Sequence, residues 1–106
     1  MFAEKSWGTY TVMDVQEGSM TVKVSMQAGQ KLSYHYHNSR DEVWTVVAGQ
    51  GKAIVDGMKQ ILRAGDVVTI AAGCKHTIEA VTNLDIIEVQ IGETISVADK
   101  YKSSLN

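Results

Sequence analysis

Proline is absent from the 106 residues, and cysteine occurs once, as Cys74. Without proline the loops lack the one residue that locks φ. A lone cysteine excludes an internal disulfide and fits a reducing compartment, so a cytoplasmic location is expected. No apolar run approaches the roughly 20 residues that span a bilayer. The opening MFAEKSWG has no apolar signal core, which argues against export. Charge of one sign is also missing. The formal net charge is −2, with lysine and arginine dispersed along the chain. That leaves no basic face for nucleic acid or anionic lipid.

What the chain does contain is a succession of short β-patterned runs, the signature of an all-β domain over residues 1–106. Trp7–Met13 is aromatic and β-branched and reads as a first strand. In Met20–Met26, Met20, Val22, Val24 and Met26 alternate with polar residues, a half-buried strand with its apolar face inward. Further strands are expected over Lys31–His37, Glu42–Ala48, Lys52–Val55, Met58–Leu62, Val67–Ile70, His76–Val81 and Ile86–Ile91. Asp56-Gly57 is a two-residue hairpin signal. From Ser96 the pattern changes, and VADKYK reads as a short helix, with Ser96 its N-cap, or as a frayed end. About nine strands at turn spacings of roughly 8–12 residues predict a sandwich or barrel.

The three histidines of the chain are His35, His37 and His76. On a strand His35 and His37 share a face, two cis ligands for one ion. Glu42 follows five residues later and His76 thirty-four residues after that. Three imidazoles and a carboxylate suit one divalent transition metal such as Zn, Mn, Fe, Co, Ni or Cu, and disfavour Ca and Mg. The bland alternative is three polar strand residues and a surface carboxylate. Cys74, two residues before His76, is a soft ligand, an oxidation site or a plain loop thiol.

The spacing resembles the cupin superfamily. Gly29, His35, His37, Glu42 and Gly49 match the first cupin motif without a gap, and Gly65, Ala71, Gly73 and His76 match the second. Ala71 stands where cupins usually have proline, and Ala80 where they have asparagine. KSWGTYTVMD, GQKLSYHYHNSRDEVWTVVAG, GKAIVDG and DIIEVQIGE further resemble the cupin domain of type II mannose-6-phosphate isomerases, a domain that often ends a bifunctional enzyme with a mannose-1-phosphate guanylyltransferase. In that family the position of His35 is often glutamine. The resemblance implies a cupin double-stranded β-helix, or jelly-roll barrel, as a single domain with a short C-terminal tail. It implies metal bound by His35, His37, Glu42 and His76, and aldose–ketose isomerisation of a sugar phosphate. A metal-dependent oxygenase and a non-catalytic sugar- or small-molecule-binding cupin are the alternatives.

Isomerisation needs a base near C1 and C2. Glu88 and Lys31, the latter on the parity of His35 and His37, are the catalytic candidates alongside a metal-bound hydroxide, and none is an evident base. Arg40 offers a planar donor fork to a phosphate; a solvated loop arginine is the alternative. Trp44 and Tyr36 offer rings for a sugar face, against plain core packing. Glu88 and Gln90 form one polar face of the last long strand, which makes a pocket wall or simply a solvent-facing side. Cupin barrels commonly pair, and the edge of Trp7–Met13 is the expected contact of a homodimer.

Overall fold

The computed structural model describes residues 1–104. Eleven strands follow in chain order: β1 Phe2–Lys5, β2 Gly8–Gln16, β3 Ser19–Met26, β4 His35–Tyr36, β5 Asp41–Ala48, β6 Gln50–Val55, β7 Met58–Arg63, β8 Val67–Ile70, β9 His76–Ala80, β10 Leu84–Ile91 and β11 Tyr101–Lys102. All pairings are antiparallel, and they form a six-stranded sheet, β1-β2-β3-β10-β5-β8, facing a five-stranded sheet, β11-β4-β9-β6-β7. This is the expected all-β, cupin-type double-stranded β-helix. The described residues contain no helix.

Period-two patterning builds the interior. Val22, Val24 and Met26 of β3 are buried in alternation, and so are Glu42, Trp44 and Val46 of β5. From the other sheet Ala53, Leu62, Ile78 and Ala80 close the core. Asp56 and Gly57 both have positive φ, 52° and 79°, and turn Val55 against Met58 as the hairpin signal predicts. Gly8, at φ 150°, lies so close to β3 that a Cβ there would fall 1.9 Å from the Ser25 carbonyl oxygen.

Three expectations change. Phe2–Lys5 forms a strand that pairs with β2, so the predicted first strand is not an edge, and the dimer contact proposed for it is already covered within the chain. The segment after Ser96 is no helix: it runs across the barrel mouth and ends in β11, where Tyr101 pairs with Tyr36 and Lys102 with His35. Lys31–His37 is not one continuous strand. Gln30 to Leu32 run along β9 through backbone bonds to Ala80 and Ile78, and pairing resumes only at His35. The break at residues 33–34 changes the parity. Leu32 and His35 both line the interior, and Lys31 is exposed in a depression of the outer face.

Candidate metal centre

The three histidines come from one sheet and the glutamate from the other. His35 on β4 lies directly opposite His76 on β9, and His37 follows just beyond β4. Their ring centroids are 4.4 to 5.3 Å apart, and one nitrogen from each imidazole lies within 4.8 Å of the others. Glu42 faces them from β5 and is 2 % exposed. Its Oε2 is 3.3 Å from His37 Nε2, and its Oε1 is 3.7 Å from His76 Nε2.

Backbone carbonyls orient the rings. Each Nδ1 sits against a main-chain oxygen: His35 on Ser33 at 2.6 Å, His37 on Asp99 at 2.6 Å and His76 on Cys74 at 2.9 Å. A carbonyl oxygen only accepts, so each Nδ1 carries the proton and each Nε2 turns its lone pair inward. Burial pushes the pKa values of all three down, that of His35 to about 3, which keeps the rings neutral. His76 Nε2 is buried with no hydrogen-bond partner. A buried orphan acceptor is costly unless something binds it. Convergent, neutral, inward-facing imidazoles with one unpartnered nitrogen fit a transition-metal ion.

Burial works against the Glu42 carboxylate, but the Arg40 guanidinium, with His37 and His76, holds its pKa below the ordinary range. Arg40 donates from Nε and from Nη2 to the same Oε2, each at 2.9 Å, and its Nη2 lies 3.2 Å from His37 Nε2. Trp44 Nε1 donates to Oε1 at 3.1 Å. Glu42 is therefore a held anion beside the triad.

Around this centre is an interior cavity of about 390 Å³, lined among others by Trp7, Tyr10, Arg40, Trp44, Glu88 and Lys100. Glu88 and Gln90 point inward, so the polar face of β10 is the pocket-side face and not a solvent face. Gln90 donates from Nε2 to Glu88 at 2.6 Å and to the Tyr10 hydroxyl at 3.3 Å. Burial, reinforced by the Glu42 charge, pushes the Glu88 pKa up to about 8, so at neutral pH it is mostly a carboxylic acid.

The remaining candidates are placed as follows. Trp44 is in the cavity wall, its ring edge against His76. Tyr36 stacks on Tyr101 with centroids 5.3 Å apart and does not line the cavity. Lys31, bridged by its backbone to Glu79, is on the outer face and does not reach the triad. Cys74 contributes its carbonyl to His76, burial pushes its thiol pKa up, and its sulfur is not among the convergent ligand atoms, which belong to His35, His37 and His76.

Sequence reasoning missed Asp99. Its carbonyl positions His37, and its carboxylate accepts the main-chain N–H groups of Asn38 and Ser39, both at 2.8 Å. Those two bonds hold its pKa below the ordinary value. Ile95, Ser96, Val97 and Lys100 of the same segment cover the cavity.

Comparison with known proteins now adds a name. A family described as the mannose-6-phosphate isomerase C-terminal domain matches residues 2–102. The chain belongs to this family. Among its relatives, the mannose-1-phosphate guanylyltransferase of Escherichia coli K12 is 30 % identical over 105 residues, covering 92 % of this chain and 22 % of the relative. ManC, the mannose-1-phosphate guanylyltransferase of Salmonella typhimurium, is 30 % identical over 97 residues, covering 90 % and 20 %. The chain thus spans about a fifth of the length of these curated relatives. The fold is shared with KdgF from Halomonas sp. at a TM-score of 0.77, with 21 % identity and 81 % of each chain covered. It is shared equally with a double-stranded β-helix protein from Klebsiella pneumoniae, at a TM-score of 0.76 and 20 % identity over 87 % of this chain and 75 % of that one.

These relatives correct the expected activity. They are mannose-1-phosphate guanylyltransferases rather than sugar-phosphate isomerases. The isomerase reading, with Glu88 or Lys31 as its base, gives way to that finding. No helix among the described residues is long and apolar enough to cross a membrane.

Proposed function

We propose that this domain is the metal-bearing component of a mannose-1-phosphate guanylyltransferase system, and that its cavity holds the mannose phosphate or the guanosine-diphosphate sugar handled there. The observation that carries this reading is one cavity combining the inward-facing triad, the Glu42–Arg40 pair and aromatic walls. At about 390 Å³ it is within the range of roughly 300–1,000 Å³ usual for small-molecule pockets.

In this reading His35, His37 and His76 hold a divalent transition metal, with Glu42 as the fourth ligand. A bound ion supplies a Lewis acid that draws phosphoryl or sugar oxygens. The protein's own residues do the rest. Carbonyls of Ser33, Asp99 and Cys74 keep the imidazoles in the ligating tautomer. Arg40 keeps Glu42 ionised and in place. Trp44 presents a ring for a sugar face, and protonated Glu88 can donate a hydrogen bond to a ligand oxygen. A cytoplasmic location belongs to the same proposal and rests on the single cysteine.

Isothermal titration of metal-loaded protein with mannose 1-phosphate and with GDP-mannose tests the reading. Metal-dependent binding of at least one, abolished by His37→Ala, is expected. Failure of both to bind protein shown to be loaded overturns it. A homodimer is also proposed. With the β2 edge covered, it would use the outer face of the six-stranded sheet, where Val47, Val67 and Ile91 are exposed. A light-scattering mass of twice 11.6 kDa is expected, and 11.6 kDa rejects it.

A further inference from the structure

Two lysines stand at the cavity for which the metal centre has no use. Lys5 closes β1, opposite Gly8 in the β1–β2 register, and Lys100 immediately follows the Asp99 anchor. Both line the cavity that contains the triad. Neither has a carboxylate partner among the described residues, in contrast to Arg40, which is committed to Glu42.

The charge around the cavity is unbalanced. Lys5, Lys100 and Arg40 bring three cationic side chains to the cavity against two carboxyl groups, Glu42 and Glu88. Partial burial, and then the charges of Lys102, Lys5 and Arg40, push the Lys100 ammonium pKa down, against a smaller opposite pull from Glu42. Lys100 cannot move far from this position. Its backbone is fixed by Asp99, whose carboxylate and carbonyl hold Asn38, Ser39 and His37. An ammonium group is a point charge with three rotatable donors, well suited to phosphoryl oxygens.

We propose that Lys5 and Lys100 form a phosphoryl-binding subsite at the mouth of the interior cavity, which takes the phosphate of a sugar phosphate or the diphosphate of a sugar nucleotide while the triad faces the rest of the ligand. The choice of ligand rests on the function proposed above; the phosphoryl subsite itself does not. Phosphate binding therefore needs no metal. It weakens with ionic strength, because both lysines are exposed residues at the edge of the cavity. The strap carrying Lys100 also carries the His37 anchor, so anion and metal sites share one segment.

The test is titration of metal-free and of metal-loaded protein with inorganic phosphate, mannose 1-phosphate and GDP-mannose, followed by calorimetry. Wild type is compared with Lys5→Gln, Lys100→Gln and, as a control on the outer face, Lys59→Gln. The expected result is a roughly tenfold weakening of phosphate binding to metal-free protein in each of the first two variants, with Lys59→Gln unchanged and metal content unaffected. These side chains are exposed, so folding is preserved; unchanged thermal midpoints check this. Undetectable phosphate binding, equal binding by wild type and both cavity variants, or loss in Lys59→Gln instead overturns the subsite. Lysine-dependent phosphate binding, with no gain for mannose 1-phosphate or GDP-mannose on metal-loaded protein, leaves the subsite standing and rejects the proposed function. Metal-dependent binding of a mannose ligand that ignores both lysines does the reverse.

Discussion

Replacing Arg40 by alanine removes the guanidinium from a carboxylate that has little other means of staying charged. Glu42 is 2 % exposed and accepts two Arg40 donors at 2.9 Å. Breaking a buried pair from one side leaves an uncompensated charge and costs about 3–5 kcal/mol. The Trp44 N–H still reaches Oε1, which favours the lower end. For a chain of this size each kcal/mol is worth about 4 °C, so the metal-free variant should melt roughly 12–20 °C below wild type. Adding Glu42→Gln removes the stranded charge, and the double variant should recover much of the loss. A saturating divalent transition metal should stabilise Arg40→Ala more than wild type, since the ion replaces the missing positive charge. The assay is urea and thermal unfolding by circular dichroism, with chelator and with each metal. A metal-free Arg40→Ala within about 1 kcal/mol of wild type would refute the argument that Arg40 sustains the Glu42 charge.

Other outcomes follow from the same geometry. Glu88 has its folded pKa raised to about 8, so the native state holds more protons than the unfolded chain between about pH 4.5 and 8. Its contribution to stability is complete below that window and is lost as pH rises through it. Glu88→Gln should flatten stability from pH 5 to 9, and an unchanged pH profile in urea titrations would count against the assignment. The triad histidines have depressed pKa values, that of His35 about 3, so protons compete poorly for them near neutrality. Metal affinity measured by calorimetry should change little from pH 8 to 6.5, whereas a steep loss centred at 6.5 would mean ordinary, solvated imidazoles. Gly8→Ala places a Cβ 1.9 Å from the Ser25 carbonyl oxygen, a backbone clash with no room to relax. It should cost several kcal/mol and expose the β1–β2 hairpin to proteolysis.

Much of this architecture was legible because strand parity and motif spacing report geometry directly. His35 and His37, two apart, share a face; Glu42 and Trp44 repeat that parity on β5 and point at the same interior. Lys31 breaks the pattern because parity propagates only through continuous strand, and the chain bends between Leu32 and His35. Glu88 and Gln90 resisted assignment because alternation shows that a face is polar without showing which side of the sheet it occupies. Their inward position follows from β10 lying between β3 and β5, whose apolar partners face the core. Asp99 was invisible for another reason. It lies sixty-two residues from His37, and its role is played through a main-chain carbonyl that any residue type supplies. The β1 strand was missed because Phe2–Lys5 has no alternation of its own and is held by register with β2. The expected activity was misread at the level of the family, where one domain accompanies two chemistries.

The central claim is that His35, His37 and His76 are a ready-made metal site, and metal content after equilibrium loading tests it most directly. Protein stripped by chelator and dialysed against Zn, Mn, Co, Ni or Fe should retain one ion per chain, with Co showing the visible absorption of a nitrogen-rich site. His76→Ala should weaken binding by about a hundredfold or more while the fold survives. No stoichiometric retention of any of these ions by folded wild type, or equal retention by His76→Ala, would contradict the account.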